Sequence, residues 1–121
     1  IWLPNGMCLK YPDLRQSENE DTGYMEWTYQ SGDMRKKIYG GLLCENLVQA
    51  LARIIVGTQM LWISKKHRVV MTTHDEVSTH VKKALGPKAL EFMQKLMRTP
   101  LDWCTDIPLN CEGGFDVNYS K

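Results

Sequence analysis

The sequence predicts an α+β fold with a mainly antiparallel sheet packed on two helices. Three observations carry this prediction. Short apolar or alternating runs flank turn-forming residues at Asn5-Gly6, Ser31-Gly32-Asp33 and His74-Asp75-Glu76, the pattern of β-hairpins. Two longer stretches repeat apolar residues at three- and four-residue spacing, the period of a half-buried helix. The strands follow one another in hairpins instead of alternating one for one with helices, which favours antiparallel pairing.

Trp2 to Tyr11 holds Asn5-Gly6 between apolar residues and reads as a first hairpin. Pro12 to Gly23 is polar and acidic and reads as a loop. Tyr24-Met25-Glu26-Trp27-Thr28-Tyr29 alternates and is aromatic, so it predicts a strand. Ser31-Gly32-Asp33 turns the chain, and Arg35 to Tyr39 pairs back. Gly40-Gly41 then breaks the chain.

The longest helix is predicted over residues 43–64. Leu47, Leu51, Ile54, Ile55, Thr58 and Trp62 form its buried stripe. Glu45, Gln49 and Arg53 recur every four residues on another face, with the small residues Ala50, Ala52 and Gly57 among them. That polar stripe reads equally as a contact surface for a bulky partner and as an intrahelical ladder from Glu45 through Gln49 to Arg53. A second helix starts at Pro87, a residue suited to the first turn, and runs to Arg98. Ala89, Leu90, Met93, Leu96 and Met97 give its core face. Pro100 ends it. The segments 107–111 and 115–119 read as short strands separated by Gly113-Gly114.

With 121 residues, 43% of them hydrophobic and 24% charged, the chain suits a single domain over residues 1–121 with a buried core. No apolar run approaches the roughly 20 residues a membrane span needs. The start, Ile1-Trp2-Leu3-Pro4, has neither an initiator Met nor a basic n-region, so it reads as the start of a piece cut from a longer chain, not a signal peptide. Cys8, Cys44, Cys104 and Cys111 have no C-x-x-C spacing, which argues against zinc and for reduced thiols in a cytoplasmic protein. The net charge of +1 does not announce nucleic acid. Basic residues are nonetheless clustered at Arg35-Lys36-Lys37, Lys65-Lys66-His67-Arg68 and Lys82-Lys83, each also readable as an ordinary solvated turn or helix end. His67 and His80 are read as surface or strand residues.

His74-Asp75-Glu76 is the candidate for chemistry. Two adjacent carboxylates at a hairpin tip attract cations, and magnesium favours one or two carboxylates plus phosphate oxygens. Such a tip suits phosphoryl transfer on a nucleotide or nucleic acid. The same tripeptide alone is also an ordinary solvated turn.

Several segments together resemble family A DNA polymerases of the bacteriophage and prophage type. Residues 39–53, beginning Tyr39-Gly40-Gly41 and containing Glu45-Asn46 and Gln49-Ala50, resemble that family's "YGGKLxENxxQAxAR" stretch. Val69 to Val77 resembles its motif C, an apolar strand leading into H-D-E and a second strand. Trp2-Leu3-Pro4-Asn5-Gly6 resembles its "LPSGR" hairpin, and residues 100–119 resemble its C-terminal "PLxxEG…Y" pattern. Order and spacing agree over nearly the whole chain.

The resemblance implies a palm-domain piece: a motif C β-hairpin packed on two helices. It implies that Asp75 binds catalytic magnesium, that Glu76 assists the metal site and that His74 lies near the primer terminus. It implies that Gln49 contacts the duplex near its growing end, with Glu45, Asn46 and Arg53 beside it as further DNA or structural contacts. The complete enzyme would use two Mg2+ ions to transfer the nucleotide of a deoxynucleoside triphosphate to a primer 3′-hydroxyl with release of pyrophosphate, and this piece alone would hold such ions weakly or not at all. Its partners would be primer-template DNA, the triphosphate, and the N-terminal palm and fingers, whose second catalytic aspartate and gripping helix lie upstream of these residues. Three positions depart from the family pattern: Met7 stands where relatives carry Arg, Leu42 where they carry Lys and Ile54 where many carry Asp. The implied piece is inactive alone. A non-catalytic DNA-binding or assembly module and a remnant of a prophage polymerase gene are the alternatives, with self-association through an open sheet edge a further expectation.

Overall fold

The structure is a computed structural model and describes residues 1–119. Its elements are α+β: strands β1 (Arg15–Glu18), β2 (Met25–Ser31) and β3 (Met34–Lys37), helix α1 (Gly40–Ser64), strands β4 (Val69–Thr73) and β5 (Glu76–Thr79), and helix α2 (Gly86–Met97). The strands form two separate antiparallel sheets, β1-β2-β3 and β4-β5. The backbone gathers into two compact units, Ile1–Leu51 and the remainder from Ala52, so α1 contributes its first half to one unit and its second half to the other.

In the first unit, Trp2 bridges Cys8 across the Asn5-Gly6 turn. Gly6 has φ 79°, a conformation that glycine adopts without steric cost, and the Asn5 side chain accepts from the Met7 amide at 3.1 Å. Gly32, at φ 61°, turns β2 into β3. The three-stranded sheet has two unlike faces. Arg15, Ser17, Glu26, Thr28, Arg35 and Lys37 share one, as the register requires. They are joined by internal bonds: Arg35 to Asp13 and to the Thr28 hydroxyl, Lys37 to Glu26, and Ser17 to Thr28. Met25, Trp27, Tyr29, Lys36 and Ile38 occupy the other. Ile38 is buried there, whereas Met25 and Trp27 are exposed.

The second unit has its core at Ile54, Ile63, Ala89, Leu101 and Cys104. Ile63 is fully buried, worth about 1.5–3 kcal/mol in removed apolar surface. Gln59 is the buried polar residue of this core. A 3-10 turn at Lys83–Leu85 leads into α2, with Pro87 in its first turn. The core face of α2 is the expected one: Ala89 is buried and Leu90, Met93, Leu96 and Met97 are half-buried.

Five expectations need correction. The polar segment 12–23 contains β1, because its backbone pairs with β2 although its side chains show no apolar alternation. Gly40 and Gly41 open α1 instead of breaking the chain, and the Leu43 amide donates to the Tyr39 carbonyl at 2.9 Å. Residues 107–111 and 115–119 are not strands; their polar groups engage side chains and α2 instead of a neighbouring strand. His67 is half-buried and lies outside the strands: its Nε2 is buried without a hydrogen-bond partner among the described residues, and its ring meets Phe92 edge-on at 5.4 Å. Finally, α1 is by length and composition long and apolar enough to cross a membrane, because Glu45 and Arg53 are its charged residues. Length and composition do not make it a span. Gln59, in its second half, donates to two backbone carbonyls of the second unit.

Candidate functional site

The acidic tripeptide sits at the turn between β4 and β5. Thr73 pairs with Glu76, so His74 and Asp75 form a two-residue connection and Glu76 is already the first residue of β5. His74 has φ 52°. Two-residue hairpins need positive φ in the turn to match strand twist, and histidine is among the side chains that tolerate it. A bulge lies between Val69 and Met71 in β4.

The turn treats its two acids differently. Asp75 is exposed, as is His74. Glu76 is half-buried, and the Tyr119 hydroxyl donates to its Oε2 at 2.9 Å. The chain therefore leaves one carboxylate at the tip and ties the other to its C-terminal segment. These are hard oxygen donors, the type magnesium prefers. Among the described residues no group of three or more His, Cys, Asp or Glu comes together to hold a metal ion. Two carboxylates are fewer oxygen donors than a magnesium ion takes.

The other candidates lie on α1. Gln49, Glu45 and Arg53 are exposed. Gln49 Nε2 donates to Glu45 Oε1 at 3.0 Å, so the first rung of the intrahelical ladder is formed. Asn46 is half-buried and donates to the Tyr11 hydroxyl at 3.1 Å. Tyr11 in turn meets Tyr29 edge-on, ring centroids 5.1 Å apart. These side chains, with Lys10 and Gln49, line an open groove of about 420 Å³ in the first unit. Glu45, Asn46 and Gln49 belong to that unit; Arg53 and the acidic turn belong to the second.

Two aspects of the charge pattern bear on ligand binding. Arg35 and Lys37 are neutralised within the sheet by Asp13 and Glu26. The hydrogen bond from Arg35 holds the Asp13 carboxyl below its ordinary range, with Arg15 adding attraction, and the bond from Lys37, then that from Asn19, does the same for Glu26. Lys66 lies over the Phe92 ring, 4.3 Å from its centroid. Basic clusters that looked available in the sequence are thus partly engaged inside the fold.

Tyr11, Tyr29 and Tyr119 were not singled out from residue patterns. The groove tyrosines sit on separate segments, and Tyr119 is 43 residues from Glu76. No local spacing signals such long-range bonds.

The whole chain is similar to part of a DNA polymerase of Bacillus phage SP02, 32% identical over 127 residues. The chain spans 19% of that relative's length. No family profile matches the chain, and no solved structure matches it.

Proposed function

We propose that this chain is the C-terminal palm portion of a family A, phage-type DNA polymerase, and that its β4-β5 turn carries one side of the active site. The observation that supports the reading most is the chain-long similarity to a phage DNA polymerase, together with a two-residue turn that presents Asp75 beside Glu76. In the complete enzyme a primer 3′-hydroxyl attacks the α-phosphate of a deoxynucleoside triphosphate, and pyrophosphate leaves. Two magnesium ions, when bound, would supply positive charge at the attacking and leaving oxygens.

The residues of this chain then divide the work. Asp75 offers its carboxylate to a cation at the exposed tip. Glu76, held by Tyr119, assists from the start of β5. His74 lies beside the primer terminus. Gln49 contacts the duplex near its growing end and keeps the hydroxyl in line for attack. Asn46, fixed by Tyr11, sets the helix face on which Gln49 stands, while Glu45 and Arg53 flank it. Primer-template DNA, the triphosphate and the N-terminal palm and fingers are the partners, in the cytoplasm. By itself the piece is inactive in this reading, because Asp75 and Glu76 alone make a poor cage for two ions.

The deciding experiment replaces Asp75 with Asn in the complete polymerase. Nucleotide incorporation is lost if Asp75 holds the cation; full activity overturns the assignment. The groove lined by Lys10, Tyr11 and Gln49 favours a second reading of the isolated chain, a non-catalytic DNA-binding module. Titration with a labelled primer-template tests it. Binding through phosphates weakens as salt rises, and no binding at low salt removes this reading.

A further inference from the structure

The C-terminal segment is fastened along one stripe of α2. Arg98 donates to the Asn110 side chain at 3.0 Å and to the Cys111 carbonyl at 2.8 Å. The Cys111 thiol reaches the Gln94 carbonyl at 3.5 Å. Gly113 lies so close that a Cβ there would meet Leu90 at 3.1 Å, and a Cβ on Gly86 would meet the Phe115 ring at 2.9 Å. The helix positions are 86, 90 and 94 on α2 and 98 at its C-cap, about one residue per turn on a single face. The matching tail positions, 111, 113 and 115, advance by two. Four helical residues rise about 6 Å and two extended residues roughly 6.6 Å, so the two run in step. The tail passes the start of α2 and reaches Tyr119, whose hydroxyl donates to Glu76.

The geometry points to Tyr119 as a positioning residue for Glu76, delivered to the acidic turn by a strap made of residues 110–119. This deepens the proposed role of that turn and rests on it. Tyr119 is 58% exposed, so its bond to Glu76 is not a by-product of core packing. An exposed hydrogen bond contributes little to global stability. Its effect is geometric: β-pairing with Thr73 fixes the Glu76 backbone, and the phenol fixes the carboxylate. Among the described residues Asp75 has no such tether; it is exposed at the tip of the turn. The strap thus prepares the second carboxylate while the first meets the cation.

The test uses this chain, its Tyr119→Phe variant and its Glu76→Gln variant. Two measurements are made: amide hydrogen exchange at residues 74–78, and paramagnetic broadening of residues 74–76 by Mn2+. Tyr119→Phe is expected to speed exchange at the turn several-fold with an unchanged urea midpoint, and to raise the Mn2+ concentration for half-broadening several-fold. Glu76→Gln keeps an acceptor for the phenol, so its turn exchange stays slow while Mn2+ broadening is lost. Unchanged exchange in Tyr119→Phe overturns the strap. Faster exchange with an identical Mn2+ titration overturns the positioning role toward a cation. Absence of broadening in the parent chain overturns the positioning role toward a cation, while nucleotide incorporation by Asp75→Asn in the complete polymerase still decides the proposed function of the turn.

Discussion

Gln59 donates its side-chain amide to the Met97 carbonyl oxygen at 2.9 Å, and also to that of Thr99 at 3.2 Å. The last carbonyls of a helix have no partner within it. A buried glutamine on α1 thereby satisfies the C-terminus of α2 inside the second unit. Gln59→Leu keeps the approximate volume but strands buried acceptors, at a cost of about 1–3 kcal/mol. Urea denaturation of the two proteins measures it. A midpoint equal to the parent's would show that water replaces the lost amide without penalty.

The three-stranded sheet should weaken in acid. Asp13 and Glu26 both have carboxyls lowered from ordinary values of 3.8 and 4.5. A carboxylate lowered on folding adds stability above its unfolded value, and that stability is lost as pH falls through the folded one. The loss therefore begins as pH drops below these ordinary values and continues beneath them. Asp13→Asn combined with Glu26→Gln should flatten this part of the curve. Thermal midpoints of both proteins against pH provide the check, and parallel curves would refute the prediction.

His74 occupies a left-handed position at φ 52°. A β-branched side chain is strained there, and such strain costs of order 1–3 kcal/mol. His74→Val should lose that much stability, whereas His74→Asn should be tolerated. Chemical denaturation separates the two, and equal stabilities would mean that the turn relaxes to another type.

Gly86 tests competition between helix propensity and close approach. Alanine in a helix is favoured over glycine by about 0.8–1.0 kcal/mol. At Gly86 its Cβ would meet Phe115 at 2.9 Å. Because Phe115 is itself exposed, the ring is expected to move aside. Gly86→Ala should leave α2 helical and loosen residues 110–119, seen as faster amide exchange there. Unchanged tail exchange would show that Phe115 adjusts without releasing the segment.

Much of the architecture was legible where local rules act alone. Pro87 marks the start of α2, Gly32 turns β2 into β3, and alternating aromatics specify β2. The acidic tripeptide falls between two strands as its flanking apolar runs require, although Glu76 belongs to a strand and not to the turn. What stayed hidden depends on distant partners. β1 carries only polar side chains, Arg15-Gln16-Ser17-Glu18, and exists because β2 offers it a backbone to pair with. Apolar spacing traces the buried stripe of α1 through Ile54 and Trp62, but its most enclosed residues also include Gln59 and Ile63. A glutamine announces burial only once its acceptors are known. Tyr119 was part of a family pattern, yet nothing in its neighbours names Glu76.

The bulge in β4 has a consequence for how copies of this chain meet. Val69 faces Thr79 and Met71 faces Ser78, so Val70 is an extra link without an opposite number. Along the outer margin of β4 the evenly spaced rungs are broken at that point. A second molecule seeking to zip itself onto the strand would lose its footing after two or three residues, which shields this rim from ribbon-like growth. Deleting Val70 would restore the even ladder, and a chain so shortened should clump more readily than its parent.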